Sequence, residues 1–301
     1  MRRSWIVASL SLTTACGGGE PQEDMEATTE AAPATELVAT VEGLSRPEAV
    51  KYDAEQDVYF VSNFGPMADD NRDGNGFMSR VGAEGEIETL RFFEGTEAEP
   101  LHMPRGMAIE GDTLWVADVD GIHAFHRQTG EALGFVDFRA LEPGFLNDVD
   151  TDPAGTLYVT DSQLGRVYRV VDGTAEIAVE DERTGPPNGI TWDATREAFL
   201  LGTWGGGQML RAWSPETGFS DVVTIPGGNF DGIEVVNDRI VVASQVDSTL
   251  WVVEGTTPSP ATRVQGRPAD IAVDPARGRV AIPYIDLNLV EIWHVAELAG
   301  S

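Results

Sequence analysis

From Leu37 to the end of the chain, apolar residues fall in short runs broken by Asp/Gly turns, and one pattern recurs six times. A Pro-x-small-apolar segment leads into an apolar strand. A turn then leads into a second strand, rich in Val, Leu, Trp and Tyr, that ends on a small polar residue. The first strands open at Pro47-Glu48-Ala49-Val50, Pro104-Arg105-Gly106-Met107, Leu146-Asn147-Asp148-Val149, Pro187-Asn188-Gly189-Ile190, Phe230-Asp231-Gly232-Ile233 and Pro268-Ala269-Asp270-Ile271. The second strands are expected at 58–62, 114–118, 157–161, 199–203, 240–244 and 280–284. Turns such as Asp152-Pro153-Ala154-Gly155 have the chemistry of hairpin connections.

The repeats stand about 40 residues apart, apart from a longer first interval that holds an inserted loop at 67–76. That period, with several short strands per unit, predicts an all-β fold: a six-bladed β-propeller over 37–301. In the fourth repeat, third and fourth strands are visible at 210–213 and 222–225. The last repeat has a third strand at 290–295 and then stops. Residues 37–41 are therefore expected to supply its outer strand and close the ring. No helical period competes over a comparable length.

Residues 1–15 read as a cleavable secretory signal, with Arg2 and Arg3 ahead of an apolar stretch too short for a permanent membrane span. Thr13-Thr14-Ala15-Cys16 resembles a bacterial lipobox, in which the thiol is acylated; Thr13 departs from it, because the Leu sits one place earlier at Leu12. Cys16 is the single Cys, so no internal disulfide can form, and it stands where a lipid would be attached. The tract 16–36, rich in Gly, Ala, Thr, Pro and Glu, is expected to be a disordered acidic tether. The expectation is a protein secreted across the inner membrane and held as a cell-envelope lipoprotein, on the periplasmic face or the outer membrane, touching membrane only through the anchor.

With 50 Asp and Glu against 20 Lys and Arg, the formal charge is −30. Phosphate-rich partners are disfavoured, so neither nucleic acid nor anionic lipid is expected as the main partner. A soluble monomer acting on a small molecule fits better.

In a propeller the first residues of the innermost strands crowd one mouth of the central channel. Here they are Glu48, Arg105, Asn147, Asn188, Asp231 and Ala269. Two carboxylates and two amide oxygens converging on an axis suit a hard cation, Ca²⁺ first, with Mg²⁺ or Mn²⁺ as alternatives. Zinc and copper are not indicated, because no Cys remains and none of His102, His123, His126 or His294 falls on these positions. Asp231 is the candidate general base, or else a covalent nucleophile. Arg105 is a candidate for stabilising an oxyanion or gripping a substrate carboxylate; its alternative role is to neutralise Glu48 or Asp148. The bland alternative for the whole set is a wet channel.

The stretch Asn147-Asp148-Val149-Asp150-Thr151-Asp152-Pro153-Ala154-Gly155-Thr156-Leu157-Tyr158-Val159-Thr160-Asp161, with Pro47-Glu48-Ala49-Val50, Pro187-Asn188-Gly189-Ile190 and Phe230-Asp231-Gly232-Ile233, resembles the gluconolactonase/regucalcin-like six-bladed propellers. The resemblance covers the chain from Leu37 onward. It implies metal ligands at Glu48, Asn188 and Asp231, Asn147 as ligand or substrate contact, and a Ca²⁺-dependent lactone or ester hydrolase. Two departures matter. Phe145 stands where the sugar-lactone enzymes often carry Arg, and no channel His of the paraoxonase type is evident. Phe145, Trp204 and Met209 would suit a more hydrophobic substrate.

Asp69-Asp70-Asn71-Arg72-Asp73-Gly74-Asn75-Gly76 has the opening of a calcium loop, but Arg80 stands where the bidentate Glu belongs, so a surface turn is expected. The rival to the hydrolase is a non-catalytic envelope binding module, with structural metal or none.

Overall fold

The computed structural model describes residues 35–205 and 207–300; Cys16, the signal segment and most of the expected tether lie outside the described residues. Six four-stranded antiparallel sheets form the blades of a propeller. The innermost strands are Pro47–Asp53, Met107–Glu110, Leu146–Thr151, Pro187–Asp193, Phe230–Val236 and Ala272–Asp274. The second strands fall where the repeat places them, within a residue at either end. The outer strand Gly218–Thr224 of the fourth blade begins four residues earlier than expected.

The ring closes through the N-terminus. Thr35–Val41 pairs with Leu289–Val295 as the outer strand of the sixth blade, running from Thr35 opposite Val295 to Val41 opposite Val290. It begins two residues before the expected Leu37. Val41 is then buried with Val50, Tyr59, Ala281 and Ile292, so the closing strand joins the core between the last and first blades. Each blade pair holds a similar apolar layer, for example Phe60, Met78, Met107 and Leu114 between the first and second. Burial of such side chains stabilises by about 1.5–3 kcal/mol each, which is what holds neighbouring blades face to face.

The aspartates at the ends of inner strands build the turns that the sequence announces. Asp53 Oδ1 accepts from the Glu55 and Gln56 amides, Asp193 Oδ1 from Thr195 and Arg196, and Asp274 Oδ1 from Ala276 and Arg277. An arginine neutralises each one: Arg127 for Asp53, Arg196 for Asp193 and Arg277 for Asp274. These charges lie at the far end of the inner strands from the mouth, and leave the mouth to be organised separately.

The insertion at 67–76 is an irregular, largely exposed loop. Its calcium-loop side chains are engaged in turn bonds: Asp70 accepts from the Arg72 amide and Asp73 from Asn75. Arg72 docks the loop on Asp120, and the Gly74 amide donates to His102 Nδ1.

Candidate functional site

Four of the six mouth residues share one backbone device. The register between first and second strands shifts between Pro47 and Val50, Leu146 and Val149, Pro187 and Ile190, and Phe230 and Ile233. Glu48, Asn147, Asn188 and Asp231 each sit inside one of these bulges, an irregularity that turns a side chain away from its regular direction. Side chains satisfy amides that the ladder loses: Ala49 N donates to Ser62 Oγ at 2.9 Å and Asp148 N to Thr160 Oγ1 at 2.9 Å. Glycine follows Asn188 and Asp231 because the next blade is too close for a side chain. A Cβ at Gly189 would lie 2.1 Å from the Asp231 carbonyl oxygen, and one at Gly232 2.2 Å from the Ile271 nitrogen.

In three blades the small polar residue that ends the second strand clamps the segment leading into the mouth. Asn63 Oδ1 accepts from the Ser45 amide, the Asp161 carboxylate from Gly144 and Phe145, and Ser244 Oγ from Gly228. Asp161 also accepts from Gln163 and Leu164, fixing two loops at once.

Above the mouth lies a cavity of about 470 Å³, within the size range of small-molecule sites. Glu48, Asn147, Asn188 and Asp231 form its polar floor, and Phe64, Phe145, Trp204 and Ile285 its apolar wall. Glu48 Oε2 and Asn188 Oδ1 are buried with no hydrogen-bond partner. Asn147 donates its amide nitrogen to Ser162 Oγ at 3.0 Å, which leaves its carbonyl oxygen to offer. Burial, followed by the nearby Asp231, pushes the Glu48 carboxyl well above the usual range, with Arg105 pulling the other way. Burial likewise raises Asp231, to about 7, against contacts from Asn188 and Gln245.

An unpartnered carboxyl oxygen on Glu48 and an unpartnered amide oxygen on Asn188, beside an Asp231 whose charge burial disfavours, fit a hard oxygen-seeking cation. Among the described residues no three His, Cys, Asp or Glu side chains stand together as metal ligands. A cation here would therefore rest on two carboxylates and amide oxygens, the donor set of calcium rather than zinc.

Arg105 requires a correction. Its side chain is fully buried and does not line the cavity. The guanidinium stacks 3.9 Å from the Phe145 ring centroid, donates to the Leu146 carbonyl at 2.8 Å and leaves Nε without a partner. With its guanidinium packed on Phe145 and off the cavity lining, Arg105 is not placed to grip a carboxylate or an oxyanion in this structure; its charge acts on Asp118 and Glu48. Met209 is likewise absent from the wall, whereas Phe145 and Trp204 belong to it.

Gln245 is a site residue that sequence reasoning missed. Its Nε2 donates to Asp231 Oδ2 at 2.6 Å, and its Oε1 accepts from Trp204 Nε1 at 3.1 Å, so the indole fixes which end of the amide faces the carboxylate. The signal was present: Phe64, Ser162, Trp204, Gln245 and Ile285 each follow directly on a second strand, and all five line the cavity.

Deeper in the channel the structure adds a second charged group. Lys51, the one lysine, lies 3.2 Å from Glu234, with Asp150 nearby. Burial works against its ammonium, but Glu234 and then Asp150 more than offset this and keep it charged. Between the two levels, burial raises Asp148 to about 8 and Asp270 well above the usual range.

No family model matches the chain, and a search of curated proteins finds no match either. Solved structures do match. A gluconolactonase from Xanthomonas campestris, described as important in glucose secondary metabolic pathways, aligns over 87% of this chain and 89% of its own at 14% identity, with a TM-score of 0.67. A second protein, assigned as a gluconolactonase, aligns over 89% and 93% at 14% identity, TM-score 0.64. A streptogramin B lyase aligns over 86% and 96% at 13% identity, TM-score 0.60. Hydrolase and lyase share the ring, so the ring alone does not name a reaction. The chain has the gluconolactonase-like six-bladed propeller fold.

Proposed function

We propose that the protein is a lactone or ester hydrolase that holds Ca²⁺ on Glu48, Asn188 and Asp231, with Asn147 as a further oxygen donor, at the floor of the mouth cavity. The observation that carries this reading is the pair of unpartnered buried acceptors, Glu48 Oε2 and Asn188 Oδ1, beside Asp231. When bound, the cation supplies Lewis-acid polarisation of the substrate carbonyl.

The residues present account for the rest. Asp231 takes a proton from the attacking water as its oxygen bonds to the carbonyl carbon, and returns a proton to the alkoxide when the ring or ester C–O bond breaks. Gln245, itself held by Trp204, keeps the Asp231 carboxylate in place. The apolar wall keeps bulk water from the floor and so strengthens every charge interaction there. Arg105, packed on Phe145, acts as a fixed positive charge that offsets part of the floor's excess negative charge. In this reading the lipid on Cys16 tethers the enzyme in the cell envelope.

The test is calorimetric titration of Ca²⁺ into the chelator-treated protein, with a lactone and aryl-ester screen on the same sample. One-site binding with calcium-dependent turnover supports the proposal. Binding without turnover of any lactone or ester favours a structural metal in a binding module, and absence of binding removes the metal site.

A further inference from the structure

The cavity wall and its rim describe the shape of the ligand. The loops joining second to third strands carry exposed apolar side chains in five of the six blades: Met67, Leu164, Trp204, Val246 and Leu287. Met67 is 82% exposed and Val246 63%. The same loops supply Phe64, Trp204 and Ile285 to the cavity, so apolar side chains occur on these loops both at the wall and on the exposed rim beside it.

Most polar groups of the wall, by contrast, are engaged with one another. Asn147 donates to Ser162, which donates to the Pro187 carbonyl, and Trp204 donates to Gln245, which donates to Asp231. Among the described residues lining the cavity, Arg267 is the one cation, and Asp286 pairs with it. A ligand rich in hydroxyls or carrying a free carboxylate would find few open partners above the floor. The lipid-bilayer alternative for the rim is disfavoured by the net charge of −30.

Resting on the hydrolase reading, we infer that the substrate is amphipathic: a compact lactone or ester head on the floor, and an extended apolar tail that follows Phe145, Trp204 and Ile285 out to Val246 and Leu287. A polyhydroxylated sugar lactone is the wrong match for this wall. Each tail methylene buried against it should strengthen binding roughly fourfold, until the tail passes the rim.

The test uses γ-lactams, which bind like lactones and resist hydrolysis, bearing ethyl, hexyl and decyl tails, together with a polyhydroxylated lactam. Calorimetry on the calcium-loaded protein should show affinity climbing steeply from ethyl to hexyl, and the polyhydroxylated lactam should bind weakest. Val246→Ser and Leu287→Ser should compress the ratio of decyl to ethyl affinity several-fold. Affinity independent of tail length, absence of binding by all four probes, or tightest binding of the polyhydroxylated lactam would overturn the inference. Turnover of the matching lactones separates the two claims. Tail-dependent lactam binding without turnover keeps the apolar ligand and removes the hydrolase; turnover of a polyhydroxylated lactone with tail-independent binding does the reverse.

Discussion

Two sets of charges stand one below the other in the same channel, and they are solved differently. At the deeper level Lys51 sits 3.2 Å from Glu234 with Asp150 close by, and the protein supplies its own counter-cation. At the mouth, Glu48 Oε2 and Asn188 Oδ1 have no partner, and Arg105, off the cavity lining, stacks its charge on Phe145. A fold could have placed a second lysine at the mouth; this one leaves the acceptors open on the floor of a cavity. The paired charge is satisfied within the protein, whereas the unpartnered acceptors at the mouth mark a place for a ligand.

The largest effect should come from removing the mouth charges. Glu48→Gln and Asp231→Ala are each expected to abolish stoichiometric Ca²⁺ binding and to lower calcium-dependent turnover by about 10³-fold or more, checked by calorimetry and initial rates. Lys51→Met should act on the fold instead. It strands Glu234 and Asp150 and should destabilise by roughly 2–3 kcal/mol in urea unfolding, less than a fully buried pair because Lys51 keeps a quarter of its side chain exposed. Calcium binding at the mouth should survive in that variant, and its loss would collapse the distinction between the two levels.

Acidity tests the same contrast. Asp231 and Asp148 titrate higher in the folded chain, near 7 and 8, than in the unfolded one, so the metal-free native state holds more protons in between. Stability then falls as pH rises from about 4 toward 8, the reverse of an ordinary salt-bridged carboxylate. The melting temperature of the metal-free protein should drop between pH 5 and pH 8, and Ca²⁺ should restore it at the upper end. A flat or rising profile would count against open carboxyls at the mouth.

Asp161→Ala removes the clamp on Phe145 and Gln163 and should lower activity about tenfold through a loosened floor at Asn147. Its signature is a change in kcat with little change in Ca²⁺ affinity. Trp204→Phe should have the smallest effect. It loses one hydrogen bond, to Gln245, and should lower kcat a few-fold while Ca²⁺ binding persists.

Much of this was legible in the sequence because a propeller repeats its chemistry. The Pro-x-small-apolar openings put Glu48, Asn147, Asn188 and Asp231 at equivalent positions, and the ring brings equivalent positions to one mouth. The same arithmetic moved one step along, to the residue after each second strand, would have pointed to Trp204 and Gln245. Arg105 lies off the cavity lining, packed on Phe145, because a repeat position fixes where a backbone lies, not where its side chain ends. The pairing of Lys51, the single lysine, was not legible for another reason: its partners Glu234 and Asp150 lie across the channel, on other blades, and no sequence spacing links them.

The central claim is that the mouth, and not the deeper level, is open to a cation. Ca²⁺ titrated by calorimetry into chelator-treated wild type, Glu48→Gln and Lys51→Met side by side tests it most directly. The account predicts one site in the wild type and in Lys51→Met, and none in Glu48→Gln. Equal binding in the wild type and Glu48→Gln, or no binding in the wild type, would contradict it.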